Sequence, residues 1–339
     1  CALAQALTAY PLFCSEENTM RAILQTTQGG ADTLYLADAP TPMPSAGQLG
    51  VRVRAAGVNR ADIVQREGRY PPPVGASPIL GLELAGVVEA VGEGCTRFAV
   101  GDAVLALVSG GGYADYALVN EAEAIAKPDA LSWAVAASLP EAWLTAWLNL
   151  VEVGGLVAGQ RVLIHAGASG VGAAAIQLAV WRGAEVIATC SGAEKAAFCR
   201  ALGAQHVIDY QTEDVAKTVR GLGAVHLVLD CIGGETLNAN LSTLAQDGKL
   251  VLIGIMGGAQ AAVNLGLVLV KRLSIVGSTL RSQPLAVRAQ LARQLETQVL
   301  PALLAGTLQP KPISIGMKDF PESPNLRKIR SMMKATRAM

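Results

Sequence analysis

Residues 161–179, RVLIHAGASGVGAAAIQLA, constrain the fold more than any other stretch. An apolar strand breaks into a glycine-rich turn and resumes as a helix. Gly167, Ser169 and Gly172 occupy the three positions of the fingerprint G-x-G-x-x-G, with serine in the middle. The strand–turn–helix context is what gives so short a pattern its weight. Gly167 is expected to allow the tight turn, and Gly172 the close approach of helix to sheet. The turn from Gly167 through Ala168, Ser169, Gly170 and Val171 to Gly172 would then offer backbone N–H groups to a pyrophosphate, aided by the helix dipole. The Ser169 hydroxyl is a further donor. The plainer alternative, a turn without a ligand, is outweighed by the α/β elements around it.

Between about 141 and 280 those elements alternate. AEVIATC, HVIDY, VHLVLDCIG, KLVLIGIMGG and LSIVGSTL read as strands, and about 170–182 and 192–202 as helices. Such alternation predicts a doubly wound parallel sheet with right-handed crossovers, an α/β Rossmann domain. A helix is expected over about 284–304. From 20 to about 140 the texture is β-rich and punctuated by Gly and Pro, and LGVRVRAAGV (49–58) alternates like a half-exposed strand, so a compact β-barrel-like domain is expected. A length of 339 residues fits two such domains. Zero formal net charge gives no electrostatic support for nucleic-acid binding. No apolar run reaches the roughly 18 residues of a membrane helix. Six cysteines without a C-x-x-C pair read as reduced cytoplasmic thiols. Residues 1–19 read as a disordered extension outside the fold, without a secretory signal; as the remnant of a targeting segment they would make the protein organellar.

The second strand of an NAD site ends in an acid that binds the ribose 2′-OH. Here that position holds Cys190, followed by Ser191 and Gly192, with Lys195 in the first turn of the next helix. A hydroxyl and an ammonium without a carboxylate favour a 2′-phosphate, hence NADPH. A solvated lysine is the plainer reading of Lys195, so the missing acid carries more of the argument. Tyr210, at the tip of the third strand, could pack on the adenine or donate to the phosphate. The three histidines, 165, 206 and 226, have no cysteine at ligand spacing, so no metal is expected.

AAGVNRADIVQREGRYPPP (55–73), ILGLELAGVVEAVG (79–92), GDAVLAL (101–107), PEAWLTAW (140–147), LDCIGG (229–234), GIMGG (254–258) and LRSQP (280–284) recur in order with the glycine turn. Together they resemble the zinc-free, zeta-crystallin-like quinone oxidoreductases of the medium-chain dehydrogenase/reductase superfamily, nearest the tumour-suppressor-inducible branch. The resemblance runs from Met20 to about Leu308. It implies a GroES-like β-barrel catalytic domain (20–143), a Rossmann NADPH-binding domain (144–284), a return to the first (285–339) that lacks the family's closing strand, a cleft between the domains, and a homodimer. Zinc-dependent relatives carry a cysteine after the AAGV strand and a G-H-E motif; here stand Asn59 and Gly81-Leu82-Glu83. By resemblance, Tyr70 and Asn59 are the catalytic candidates, holding the acceptor by hydrogen bonds, while Thr145, Gly254 and Met256 join the cofactor contacts. Tyr70 packed against Pro71–Pro73 and Thr145 bonded to its own helix are the structural alternatives. Asp62 is expected to fix the local turn. The expected activity is NADPH-dependent reduction of a quinone. The alternatives are reduction of an enone or 2-alkenal double bond, and a non-catalytic NADPH-binding protein.

Overall fold

A computed structural model describes residues 18–310 and 314–316. The chain divides into one unit drawn from Cys1–Glu141, Arg281–Pro301 and Pro310–Met339, and a second drawn from Ala142–Leu280 and Ala302–Gln309.

The first unit opens with β1 (Thr19–Gln25) and β2 (Leu34–Pro40), an antiparallel pair. β3 (Gln48–Gly57), β4 (Glu83–Val91), β5 (Ala103–Leu107), β6 (Tyr116–Asn120) and β7 (Ala124–Ala126) form an antiparallel sheet in which β3 pairs both β4 and β6. β3 alternates as its sequence predicts only from Val51 to Ala55; Ala55, Ala56 and Gly57 are all buried. Its register against β4 shifts between Val53 and Ala55, which breaks the period of two. Helix α1 (Arg60–Arg66) follows at once, and α2 (Trp133–Ala136) and α3 (Pro140–Trp147) come after β7. Ile23, Leu34, Leu49, Ile63, Leu84 and Tyr113 lie in one apolar core.

In the second unit β8 (Arg161–Ile164), β9 (Glu185–Cys190), β10 (His206–Asp209), β11 (Val225–Asp230), β12 (Leu244–Leu252) and β13 (Ser274–Gly277) form one sheet in the order β10-β9-β8-β11-β12-β13. Every pairing is parallel, so all carboxyl ends share one edge. Between the strands run α4 (Gly170–Trp181), α5 (Ala193–Ala201), α6 (Val215–Leu222), α7 (Leu237–Thr243) and α8 (Leu265–Lys271). The order reverses at β8, the switch point where open α/β sheets bind ligands. α4 has Ala173 to Ala179 buried in succession, as suits a helix with no polar face.

The helix expected over 284–304 is interrupted. α9 (Leu285–Gln294) gives way to a widened π turn at Leu295–Val299 before α10 (Leu300–Leu304). Leu291, Leu295, Val299 and Leu300 nonetheless all stay buried. A last strand, β14 (Ser314–Gly316), pairs antiparallel with Ala55–Gly57 of β3. β1 begins one residue before Met20. The expected extension otherwise lies outside the described residues, as does the chain beyond β14 on which a closing strand would fall. No helix among the described residues is long and apolar enough to cross a membrane.

Candidate functional site

The glycine turn stands at the carboxyl end of β8. Its left-handed residue is Ala166, at φ 50°; Gly167 is not in that region, which corrects the expectation that Gly167 serves the tight turn. Gly167 is required by crowding instead. A Cβ there would lie 2.9 Å from Ala188 Cβ and 3.0 Å from Cys199 Sγ. At Gly172 a Cβ would lie 2.3 Å from the Ala166 carbonyl oxygen, so the helix starts against the turn only because that side chain is missing. Ser169 has ordinary extended angles (φ −75°, ψ 168°) and caps α4, its Oγ accepting the Gly172 N–H at 3.0 Å. The hydroxyl proton remains available as a donor. The N–H groups of Ala168, Gly170 and Val171 meet no acceptor among the described residues. A helix start with orphan donors and no room for a side chain at Gly172 fits a pyrophosphate.

At the next strand end, Cys190 is buried at 3% exposure, and its thiol meets that of Cys199. Ser191 and Gly192 follow, and Gly192, at φ 79°, stands at the cap position of α5. Here the sequence reading needs correction. β9 itself ends without an acid, but Asp209 of β10 pairs with Cys190 in register, and its Oδ2 accepts the Gly192 N–H at 2.9 Å. Its other oxygen accepts the Gln211 N–H at 3.0 Å. A carboxylate is therefore present at this corner, with both oxygens engaged by backbone donors. Lys195 is half-buried, and no carboxylate among the described residues is paired with its ammonium. Tyr210 is 54% exposed, its N–H bonded to the Cys190 carbonyl at 3.1 Å and its hydroxyl unengaged. Ser191, Gly192, Lys195 and Tyr210 thus gather at the adjoining ends of β9 and β10. Gly254 and Met256 follow β12, where the Met256 N–H reaches the Cys231 carbonyl at 3.2 Å. Thr145, on α3, has a buried Oγ1 without a partner, so the bond to its own helix is not made.

In the first unit, Asn59 precedes α1. Its Nδ2 donates to Glu83 Oε1 at 2.8 Å, and its backbone N–H donates to Asp62 Oδ2 at 2.8 Å. Asp62, fully buried, also accepts the Tyr113 hydroxyl at 2.9 Å and the Gly81 N–H at 3.2 Å. Glu83 Oε2 accepts the Glu141 N–H at 2.8 Å. A Cβ on Gly57 would stand 1.8 Å from Glu83 Oε1, so that glycine keeps the space for the carboxyl. The guanidinium of Arg281 lies 5.4 Å from the centroid of the Tyr70 ring and donates to Gln65 Oε1 at 2.7 Å and to the Ser109 carbonyl. Tyr70 is therefore stacked on a cation, and its hydroxyl meets no hydrogen-bond partner among the described residues.

Burial dominates the acid–base character of this cluster. It lifts Asp62 to about 6, despite donors from Asn59, Tyr113 and Gly81, and lifts Glu83 and Glu141 to about 8. Part of the Glu141 residue reaches the surface, yet its carboxyl sits in packed protein, and the upward direction follows from that packing. Tyr70 is raised by burial and then by Glu141, against the pull of Arg281. Glu83 and Glu141 escaped the sequence reading. The signal was a lone acid inside the apolar run ILGLELAGVV and another directly after Pro140.

The histidines are committed elsewhere: His165 to Thr189 and Asn240, His226 to the Arg161 N–H, His206 to Glu185. Among the described residues no group of three or more His, Cys, Asp or Glu is arranged to hold a metal.

Residues 45–129 match the alcohol dehydrogenase GroES-like domain, and residues 170–296 match the zinc-binding dehydrogenase family. The chain is 35% identical to a quinone oxidoreductase of Pseudomonas syringae pv. tomato DC3000, with a TM-score of 0.76 over 86% of this chain and 90% of that one. It is 26% identical to an Escherichia coli quinone oxidoreductase solved in complex with NADPH, with a TM-score of 0.80 over 94% and 96% of the two chains. It is also 38% identical over 235 residues to prostaglandin reductase-3 of Bos taurus, covering 67% of this chain. The chain spans 60% of that reductase's length, and 11% of the length of the mycobacterial phthioceranic/hydroxyphthioceranic acid synthases it also matches.

Proposed function

The chain belongs to the quinone oxidoreductase family of the medium-chain dehydrogenase/reductase superfamily, and from that premise we propose that it is an NADPH-dependent, zinc-independent quinone oxidoreductase. The observation that carries the reading is the anion-ready corner of the second unit. Three N–H groups at and just before the start of α4, the Lys195 ammonium and the Ser191 and Tyr210 hydroxyls, these last three at the ends of β9 and β10, meet no partner among the described residues. In this reading the turn from Gly167 to Gly172 cradles the pyrophosphate, and Ser191, Gly192, Lys195 and Tyr210 receive the 2′-phosphate. Thr145, Gly254 and Met256 contact the nicotinamide end. Asp209 accepts the Gly192 and Gln211 N–H groups and braces the loop that carries Ser191. The bound cofactor supplies the hydride. Asn59, steadied by Glu83, and Tyr70, stacked on Arg281, hold the acceptor oxygen by hydrogen bonds. At the two positions where zinc-dependent relatives place a ligand, Asn59 and Leu82 cannot serve as one.

The test is cofactor-dependent quinone reduction by the purified chain. NADPH is expected to be used in clear preference to NADH; equal or better turnover with NADH overturns the cofactor assignment. A second reading, reduction of an enone double bond, draws on the likeness to prostaglandin reductase-3, and a panel of quinones and enones separates the two. We further propose a cytoplasmic homodimer joined along the free edge of β13.

A further inference from the structure

We propose that the Glu141 carboxyl is the catalytic proton donor to the acceptor. This rests on the reading of Asn59 and Tyr70 as the acceptor's hydrogen-bonding groups. Three observations place Glu141 beside them. Its backbone N–H and the Asn59 amide bind the two oxygens of the same Glu83 carboxyl, each at 2.8 Å. It acts electrostatically on Tyr70 and on Arg281. Its own carboxyl meets no hydrogen-bond partner among the described residues, whereas Asp62 and Glu83 both accept hydrogen bonds on both oxygens. Independently, Arg281 is 5% exposed, its ring partner is Tyr70, and its Nε has no partner. A buried donor left unsatisfied at this spot points to a missing acceptor atom.

The charges facing Glu141 decide its form. Asp62 from α1, Glu83 from β4, Tyr70 and the cation Arg281 act on it, and buried Arg66 of α1 acts on Tyr113, the hydrogen-bond partner of Asp62. Of the three carboxyls, Asp62 has the most donors and the lowest value. Glu83 and Glu141 are then neutral at pH 7. A neutral carboxyl near 8 is a better acid at that pH than a phenol held above its ordinary 10. In the step, the acceptor takes the hydride's two electrons and is reduced as NADPH becomes NADP+. The Glu141 O–H bond breaks, an O–H bond forms on the acceptor oxygen, and the carboxylate left behind recovers its proton from water.

The experiment compares wild type, Glu141→Gln, Glu141→Asp and Tyr70→Phe, with circular dichroism as the check on folding. Wild-type kcat/KM should fall as pH rises through about 8. Glu141→Gln should lose that alkaline limb and at least about 100-fold in kcat. Glu141→Asp should keep the limb at reduced rate, as should Tyr70→Phe. Infrared spectra of the cofactor-free protein at pH 7 should show protonated-carboxyl absorption, of which Glu141→Gln removes one component and leaves that of Glu83. A folded Glu141→Gln that keeps the limb and most of its rate, or a Glu141 ionised at pH 7, overturns this proposal and leaves the functional reading intact. Wild type that binds NADPH yet reduces neither quinones nor enones overturns both.

Discussion

Lys195 is the side chain on which cofactor choice is argued most directly. Its ammonium has no carboxylate partner among the described residues, and Asp209, at the end of the adjoining strand, spends its oxygens on Gly192 and Gln211. A charge-assisted contact of this kind is worth about 1.5–3 kcal/mol, so Lys195→Ala should raise the Michaelis constant for NADPH about tenfold or more. The constant for NADH should barely move, and steady-state kinetics with both cofactors reads the difference. Equal changes in the two would remove Lys195 from the phosphate site. At Gly172, alanine would drive a Cβ to 2.3 Å from a backbone oxygen. Gly172→Ala should therefore displace the start of α4 and weaken NADPH binding by more than tenfold, measured by quenching of protein fluorescence. The crowding at Gly172 was readable from the motif, because spacing within one turn is local. Ala166 was not, since nothing marks an alanine for φ 50°. Asp209, Glu83 and Glu141 were hidden for a different reason. Each acts across a contact to residues 17, 24 or 58 positions away, and only the assembled sheet or helix start brings them together.

The free edge of the parallel sheet is the element with the least explained surface. β13 pairs only with β12 among the described residues, and Ile275 on it is 42% exposed. α8, which precedes it, buries no residue of its own and leaves Leu265, Leu269 and Val270 73–78% exposed. An apolar helix beside an open strand edge is a liability that pairing with a second copy would remove. Leu269→Glu combined with Val270→Lys should shift the protein to monomer in sedimentation velocity, with the fold retained by circular dichroism. Monomeric wild type at micromolar concentration would end the argument. The elements themselves were largely legible, because apolar runs of strand length alternating with helical segments leave few topologies once crossovers must be right-handed. The interrupted helix after Pro284 was not. Its apolar spacing predicts one face, and a single widened turn at Leu295–Val299 leaves those residues buried, so the pattern carries no mark of the break.

At the scale of the whole chain, the two units are tuned to opposite ends of the pH range. The chain carries 27 basic and 27 acidic residues, so general self-repulsion is small near neutrality and individual buried groups set the slope. In the first unit Glu83 and Glu141 bind protons more tightly folded than unfolded. Their values are raised from 4.5 to about 8, chiefly by burial. Their contribution is therefore full below about 4.5 and is lost as pH rises through about 8. In the second unit His165 is 6% exposed, its ring nitrogens 3.0 Å from Thr189 Oγ1 and 2.8 Å from Asn240 Oδ1, and Asn240 donates in turn to Asp230. Burial lowers its pKa against the opposing pull of Asp230. The contribution of neutral His165 is thus present above the unfolded value of about 6.5 and is lost as pH falls below it. Between pH 5 and 8 the first unit should weaken with rising pH while the second strengthens. Hydrogen exchange resolved by peptide, with opening free energies corrected for intrinsic rates, reads β4 and β8 separately. Opposite slopes are expected, and Glu141→Gln, which fixes that side chain in an uncharged form, should make the β4 slope shallower, with Glu83 still contributing, and leave β8 unchanged. Parallel slopes in the wild type would mean that these buried groups do not govern the pH response of either unit.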